Sequence, residues 1–180
     1  KIFCGVESGS QRVLDAMKKG ATVEQIEAAG RRLDDAGIDF HAYLMLGYPG
    51  ERHRDVRLTM NLLRRLHPTE HSISVAYPMP GTEFYDLVHA LMPKRAWKNR
   101  DDAELQFEAD YSPLYYRLAR AIARRRYAPG HPRDLAERVE GWLMEVLFFG
   151  VRWRDEIGRR RKSLAVFERP RIAATDEHRG

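Results

Sequence analysis

The stretch GVESGSQRVLDAMKKG, Gly5 to Gly20, decides how this chain is read. It follows the apolar run Ile2-Phe3-Cys4-Gly5-Val6, places a carboxylate, Glu7, between small residues, and passes at once into a helical pattern. A carboxylate there sits at the carboxyl end of a strand, where α/β proteins gather their ligands. Two further apolar runs follow, Asp39 to Leu46 and Ser72 to Tyr77, each starting about one strand-helix unit after the last. Both are nearly continuous, as in parallel strands buried on two faces.

Helical patterns fill the gaps. Val13, Leu14 and Met17 mark the first, with Gly20 as its C′ residue. Thr22 and Gln25 spell a capping box for Val23, Ile26, Ala29 and Leu33, and Gly37 ends that helix. A third runs from about Arg54 to Leu66, with Val56, Met60 and Leu63 on one face, and stops before Pro68. The order βαβαβ implies a parallel sheet with right-handed crossovers. Beyond it, Thr82 can cap a short helix ending before Pro93, residues 96–110 lack a steady period, and Ser112-Pro113 starts another helix. Leu135, Val139, Trp142, Leu143, Val146 and Leu147 describe a long amphipathic helix, and order is expected to fade after Arg159.

Composition narrows the class. The chain has 180 residues, 43% of them hydrophobic, and no apolar run able to span a bilayer. Its one cysteine, Cys4, cannot form an internal disulfide, no secretory pattern opens the sequence, and a cytoplasmic location is expected. Beginning at Lys1, one step from a strand, the chain reads as an interior piece of a longer protein. The net charge of +5 is uneven: residues 1–90 hold 11 basic and 12 acidic groups, whereas residues 91–180 hold 20 and 14. Basic runs such as Arg124-Arg125-Arg126 and Arg159-Arg160-Arg161-Lys162 read first as solvated faces. No zinc finger or aromatic-interleaved platform supports a nucleic-acid partner.

Each strand ends in a turn rich in glycine or proline: Gly5 to Ser10, Gly47-Tyr48-Pro49-Gly50-Glu51, and Tyr77 to Thr82. In a parallel sheet all three lie on one rim. Small residues admit a ligand to the backbone, apolar strand ends offer a surface for a ring, and a carboxylate accepts two hydrogen bonds from vicinal hydroxyls. This describes a nucleoside site with no phosphate cradle.

GVESGSQRVLDAMKKG, LMLGYPGE and AYPMPGTEFY, in this order and spacing, resemble the second half of the catalytic barrel of radical S-adenosylmethionine enzymes. The first turn is most similar to members with an N-terminal cobalamin-binding domain. The resemblance implies an α/β fold, the C-terminal half of a parallel (β/α)6 partial TIM-type barrel over residues 1–92. A connecting segment over 93–111, a helical extension over 112–165 and a disordered tail over 166–180 complete the organisation. It implies as cofactors S-adenosylmethionine, a 4Fe-4S cluster whose ligands lie outside this fragment, and cobalamin. Its implied partners are an unnamed organic substrate and an electron-donor protein.

The resemblance also implies roles for individual residues. Glu7 would bind the ribose hydroxyls, with Ser8 and Ser10 as further polar contacts. Met45, Leu46 and Gly47 would lie beside the adenine, and Gly50 would let the turn pass close to it. The backbone around Ala76 and Tyr77 would pair with the adenine edge. Glu51 stays open between a ligand and a helix-start charge, His41 between a satisfied lumen residue and a substrate contact. A methylthiotransferase acting on transfer RNA or ribosomal protein is the alternative within the class, disfavoured because those relatives end in a β-rich RNA-binding domain whereas this tail reads helical. A non-catalytic basic binding module is the alternative outside it.

Overall fold

A computed structural model describes residues 1–91, 109–127 and 135–160. Three parallel strands, β1 (Ile2–Glu7), β2 (Phe40–Leu46) and β3 (Glu70–Val75), form a sheet in the order β1-β2-β3. The helices α1 (Gln11–Ala16) and α2 (Val23–Asp35) lie between the first two strands, and α3 (His53–Leu66) between the last two. After β3 come α4 (Glu83–Leu91), α5 (Pro113–Tyr127) and α6 (Leu135–Arg160). The chain is therefore α/β with a three-stranded parallel sheet.

Local chemistry sets most of the boundaries. At α2, Thr22 Oγ1 accepts the Gln25 N–H at 3.2 Å while Gln25 Oε1 accepts the Thr22 N–H at 2.8 Å, so two otherwise orphaned donors are satisfied. The same helix ends with Gly37 at φ +63° and with Ile38 N–H donating to Leu33 C=O at 2.8 Å, a Schellman closure. Helix α1 closes in the same way but not on Gly20. Lys18 takes the left-handed position at φ +55°, and Lys19 N–H donates to Leu14 C=O at 3.0 Å.

The core lies on one face of the sheet. Phe40, Ala42, Leu44 and Leu46 of β2 pack with Val56, Leu62, Leu63 and Leu66 of α3 and with Tyr115, Tyr116, Ala119 and Ala123 of α5. Each such buried aliphatic side chain stabilises the fold by about 1.5–3 kcal/mol. Burial on both faces of β2, expected from its apolar sequence, is not what is found. His41 and Met45 are half-buried and Tyr43 is 44% exposed on the opposite face. There the rings of Phe3, His41 and Tyr43 pack together, and His41 is held by Glu70 at 3.1 Å and by Ser72 at 2.9 Å, so it is satisfied within the sheet. Cys4 is half-buried against the core.

Among the described residues no helix is long and apolar enough to cross a membrane. The expected tail over 166–180, most of the expected connection over 93–111 and the run Arg159 to Lys162 beyond Arg160 lie outside the described residues.

Candidate nucleoside site

The carboxyl ends of the strands share one rim, and β1 reaches it irregularly. Pairing with β2 shifts between Gly5 and Glu7, a bulge, and Glu7 sits at φ +61°. A non-glycine residue in this region is strained by about 1–2 kcal/mol, a cost that persists where the surroundings over-determine it. The consequence is directional: the Glu7 carboxylate folds back over Gly5. A Cβ added at Gly5 would stand 2.7 Å from Glu7 Oε1 and 2.9 Å from Lys19 Nζ, so a side chain there would displace the ends of this pair. Lys19 Nζ lies 3.3 Å from Glu7 Oε1, and both side chains keep about a quarter to a third of their surface in solvent.

What holds Glu7 in place lies behind it. Gly9 passes so close to α3 that its N–H donates to Thr59 Oγ1 at 2.9 Å, and Ser8 Oγ lies 3.1 Å from the same hydroxyl. Ser8 Oγ also accepts the Ser10 N–H at 3.1 Å, and Ser10 Oγ donates to Asp55 Oδ1 at 2.7 Å. Ser8 and Ser10 are at most 2% exposed. The structure thus turns both serines inward, away from the rim, where they anchor the strand-to-helix turn that presents Glu7.

On β2, Met45 points to the open side and packs with Ala76, Phe84 and Val88. Leu46 points the other way into the core, and the space over Gly47 is filled by Val75 and Tyr116. Of these three, only Met45 is brought to the side shared with Glu7. The Ala76 N–H is committed to Leu46 C=O at 2.7 Å, while Tyr77 is half-buried just beyond it. Gly50, at φ +80°, is buried and clamped: its N–H donates to Asp110 and its C=O accepts from Arg12 at 3.1 Å. Above the turn Tyr48 stacks on Phe84 at 5.0 Å and donates to Ala16 C=O at 2.9 Å, which ties α1 and α4 to the rim.

Glu51 settles differently from either reading of the sequence. It is fully buried, and Oε2 accepts the Gly47 N–H at 2.7 Å across the turn. Burial, reinforced by Asp55 and Asp110, pushes its carboxyl up to about 8 despite that hydrogen bond. His53, the first residue of α3, is bonded through Nδ1 to Tyr115 Oη at 2.8 Å. Lys19, Thr59, Asp55 and Asp110 escaped the sequence reading, because each acquires its role from a partner 12 to 60 residues away.

The residues fit a hydroxylated nucleoside and not a metal cluster. The only cysteine is Cys4, within β1, and among the described residues no three His, Cys, Asp or Glu side chains group as metal ligands. A 4Fe-4S centre would need ligands that this chain does not contain.

No family model matches the chain. Among curated proteins it is similar to one of Methanocaldococcus jannaschii named as a methylthiotransferase, 36% identical over 93 residues, which are 52% of this chain and 20% of that protein. It is also similar to the tRNA-2-methylthio-N(6)-dimethylallyladenosine synthase of Nitrosomonas europaea, 32% identical over 114 residues, covering 60% and 26%. The enzyme of the same name from Hahella chejuensis is 31% identical over 160 residues, covering 86% and 35%. The chain spans about a fifth to a third of the length of these relatives. The last match extends past the first half of the chain into its helical part, so a helical tail does not argue against the methylthiotransferase alternative. The cobalamin-associated reading receives no support from these relatives, and the tRNA in two of their names weighs against leaving nucleic acid out. The chain is thus similar, over as much as 86% of its length, to about a third of a methylthiotransferase.

Proposed function

We propose that this chain is the S-adenosylmethionine-binding portion of a radical methylthiotransferase, and that the parent protein acts on transfer RNA. The observation that carries the reading is Glu7. It is a carboxylate held at a strained backbone angle over Gly5, at the same sheet rim on which Met45 packs with Ala76 and Val88. Strain stored at a rim, with a partly exposed acceptor as its product, marks a residue whose position matters more than its local stability. Glu7 would accept the two ribose hydroxyls, Met45 would border the base, and the backbone beyond Ala76 would offer the polar edge.

The chemistry such a cluster-bearing enzyme adds is reductive cleavage of the sulfonium, supplied by a centre held outside this chain. The contribution of these residues is binding and orientation. Three strand ends rigidly tied to α1, α3 and α5 would fix the nucleoside before any electron arrives. The relatives' names support tRNA as the acceptor.

The reading is tested with the full-length protein by equilibrium dialysis of S-adenosylmethionine against wild type and Met45→Asp. A charge placed beside the base is expected to weaken binding by at least about tenfold. Unchanged affinity would remove Met45 and its neighbours from the site.

A further inference from the structure

The Gly47–Glu51 turn is held from behind by a segment far along the chain. Gly50 N–H donates to Asp110, His53 N–H donates to Tyr111 Oη at 2.9 Å, and the Tyr116 ring lies where a Cβ on Gly47 would meet Cζ at 3.4 Å. Glu51 stands inside this contact with no exposed surface. Its Oε2 is bonded to Gly47 N–H, but Oε1 has no hydrogen-bonding partner among the described residues, and neither has the buried hydroxyl of Tyr116 beside the same turn.

We propose that Glu51 is a positioning residue in its neutral, protonated form, closing the Gly47–Gly50 turn from within through its bond with Gly47 N–H and so holding that turn for the nucleoside. The charge balance around it requires the proton. From α1 comes Arg12, which is already engaged with Asp55 and with the Gly50 carbonyl. From α3 come Asp55 itself and His53, from the segment before α5 come Asp110 and Tyr111, and from the first turn of α5 come Tyr115 and Tyr116. The Arg12 guanidinium is ion-paired with Asp55, and among the described residues no cation is bonded to Glu51. An ionised Oε1 would be a desolvated anion with nothing to stabilise it. Protonation of Oε1 removes that charge while Oε2 keeps accepting the Gly47 N–H. The rise of the Glu51 carboxyl to about 8 agrees with this arrangement.

The link to the nucleoside rests on the proposed function, whereas the proton itself does not. The test therefore has two readouts. In the isolated chain, the Gly47 amide resonance is followed by NMR from about pH 6 to about pH 9.5 in wild type and Glu51→Gln, an isostere of the neutral acid. Wild type is expected to titrate with a midpoint near 8 and the variant to stay flat. A flat wild type, or the same titration in both, overturns the proposal.

In the full-length protein, S-adenosylmethionine affinity is expected to fall about tenfold between about pH 7 and about pH 9 in wild type and to hold in Glu51→Gln. An equal fall in both would overturn the positioning role. Absence of binding at either pH, with the Gly47 titration intact, would refute the nucleoside reading while leaving the protonated carboxyl standing.

Discussion

Gly9 should be among the least replaceable residues of this chain, and the structure says by how much. A Cβ built on it would stand 2.3 Å from Leu58 O, 2.6 Å from Leu58 C and 2.7 Å from Thr59 Cα, all backbone atoms of α3, where ordinary contact begins at 3.4 Å. Backbone cannot swing aside as a side chain can, so Gly9→Ala must push α3 from the β1–α1 turn by about an ångström. Overpacking of this kind costs about 1–3 kcal/mol. Displacing Thr59 also weakens its hydrogen bonds with Gly9 N–H and Ser8 Oγ, each contributing about 0.5–1.5 kcal/mol. The sum, about 2–6 kcal/mol with both hydrogen bonds lost, is a large share of the total stability of a domain.

Urea unfolding followed by circular dichroism measures this loss. With a slope of about 2 kcal/mol per molar, the midpoint should drop by about 1–3 M. Gly20→Ala is the control. Gly20 has φ +69° but nothing within 4 Å of an added Cβ, so that variant should lose only the left-handed penalty of about 1–2 kcal/mol. If Gly9→Ala were no less stable than Gly20→Ala, the close approach of α3 to the turn would be wrong.

Other consequences are of different kinds. Gly5→Ala meets only the flexible ends of Glu7 and Lys19, so it should leave the unfolding midpoint within about 1 kcal/mol of wild type. The same variant should displace the Glu7 carboxylate and weaken S-adenosylmethionine binding in the full-length protein; a variant that binds normally would show that the carboxylate over Gly5 is not used. The His53 imidazole is pushed down to about 4 by burial first and then by Arg152. Because the unfolded chain takes up that proton more readily, the His53 contribution is present above about pH 6.5 and is lost as pH falls through about 4. Measured against His53→Gln, wild-type stability should decline across that window, and a constant difference would contradict the buried neutral ring.

How much of this was legible in the sequence depends on how far each cause lies from its effect. The capping box at Thr22 and the glycine closure at Gly37 are fixed by residues within six positions, and both were readable. The three strands were readable from spacing and apolar content, but which face of β2 stays open was not. His, Ala, Tyr, Leu and Met look equally apolar whether they meet a helix or do not. Lys18 could not have been singled out over Gly20, since a left-handed lysine is locally unfavourable and is held by the surrounding fold, through Lys18 on Glu83 and Tyr48 on Ala16.

The motif offered Ser8 and Ser10 as polar contacts to a ligand, whereas their hydroxyls are engaged by partners on α3 45 to 51 residues away. Glu51 is the extreme case. Its burial depends on tyrosines some 60 residues later, and nothing near it in the chain announces a carboxyl without solvent.

The central claim is that Glu7 is the hydroxyl-binding carboxylate of a nucleoside site, and the most direct test is S-adenosylmethionine binding by the full-length protein with Glu7→Ala. Two hydrogen bonds to a charged acceptor are worth about 1.5–3 kcal/mol each, so affinity should fall by at least about a hundredfold with the fold intact. A Glu7→Ala protein that binds S-adenosylmethionine as tightly as wild type would contradict the account.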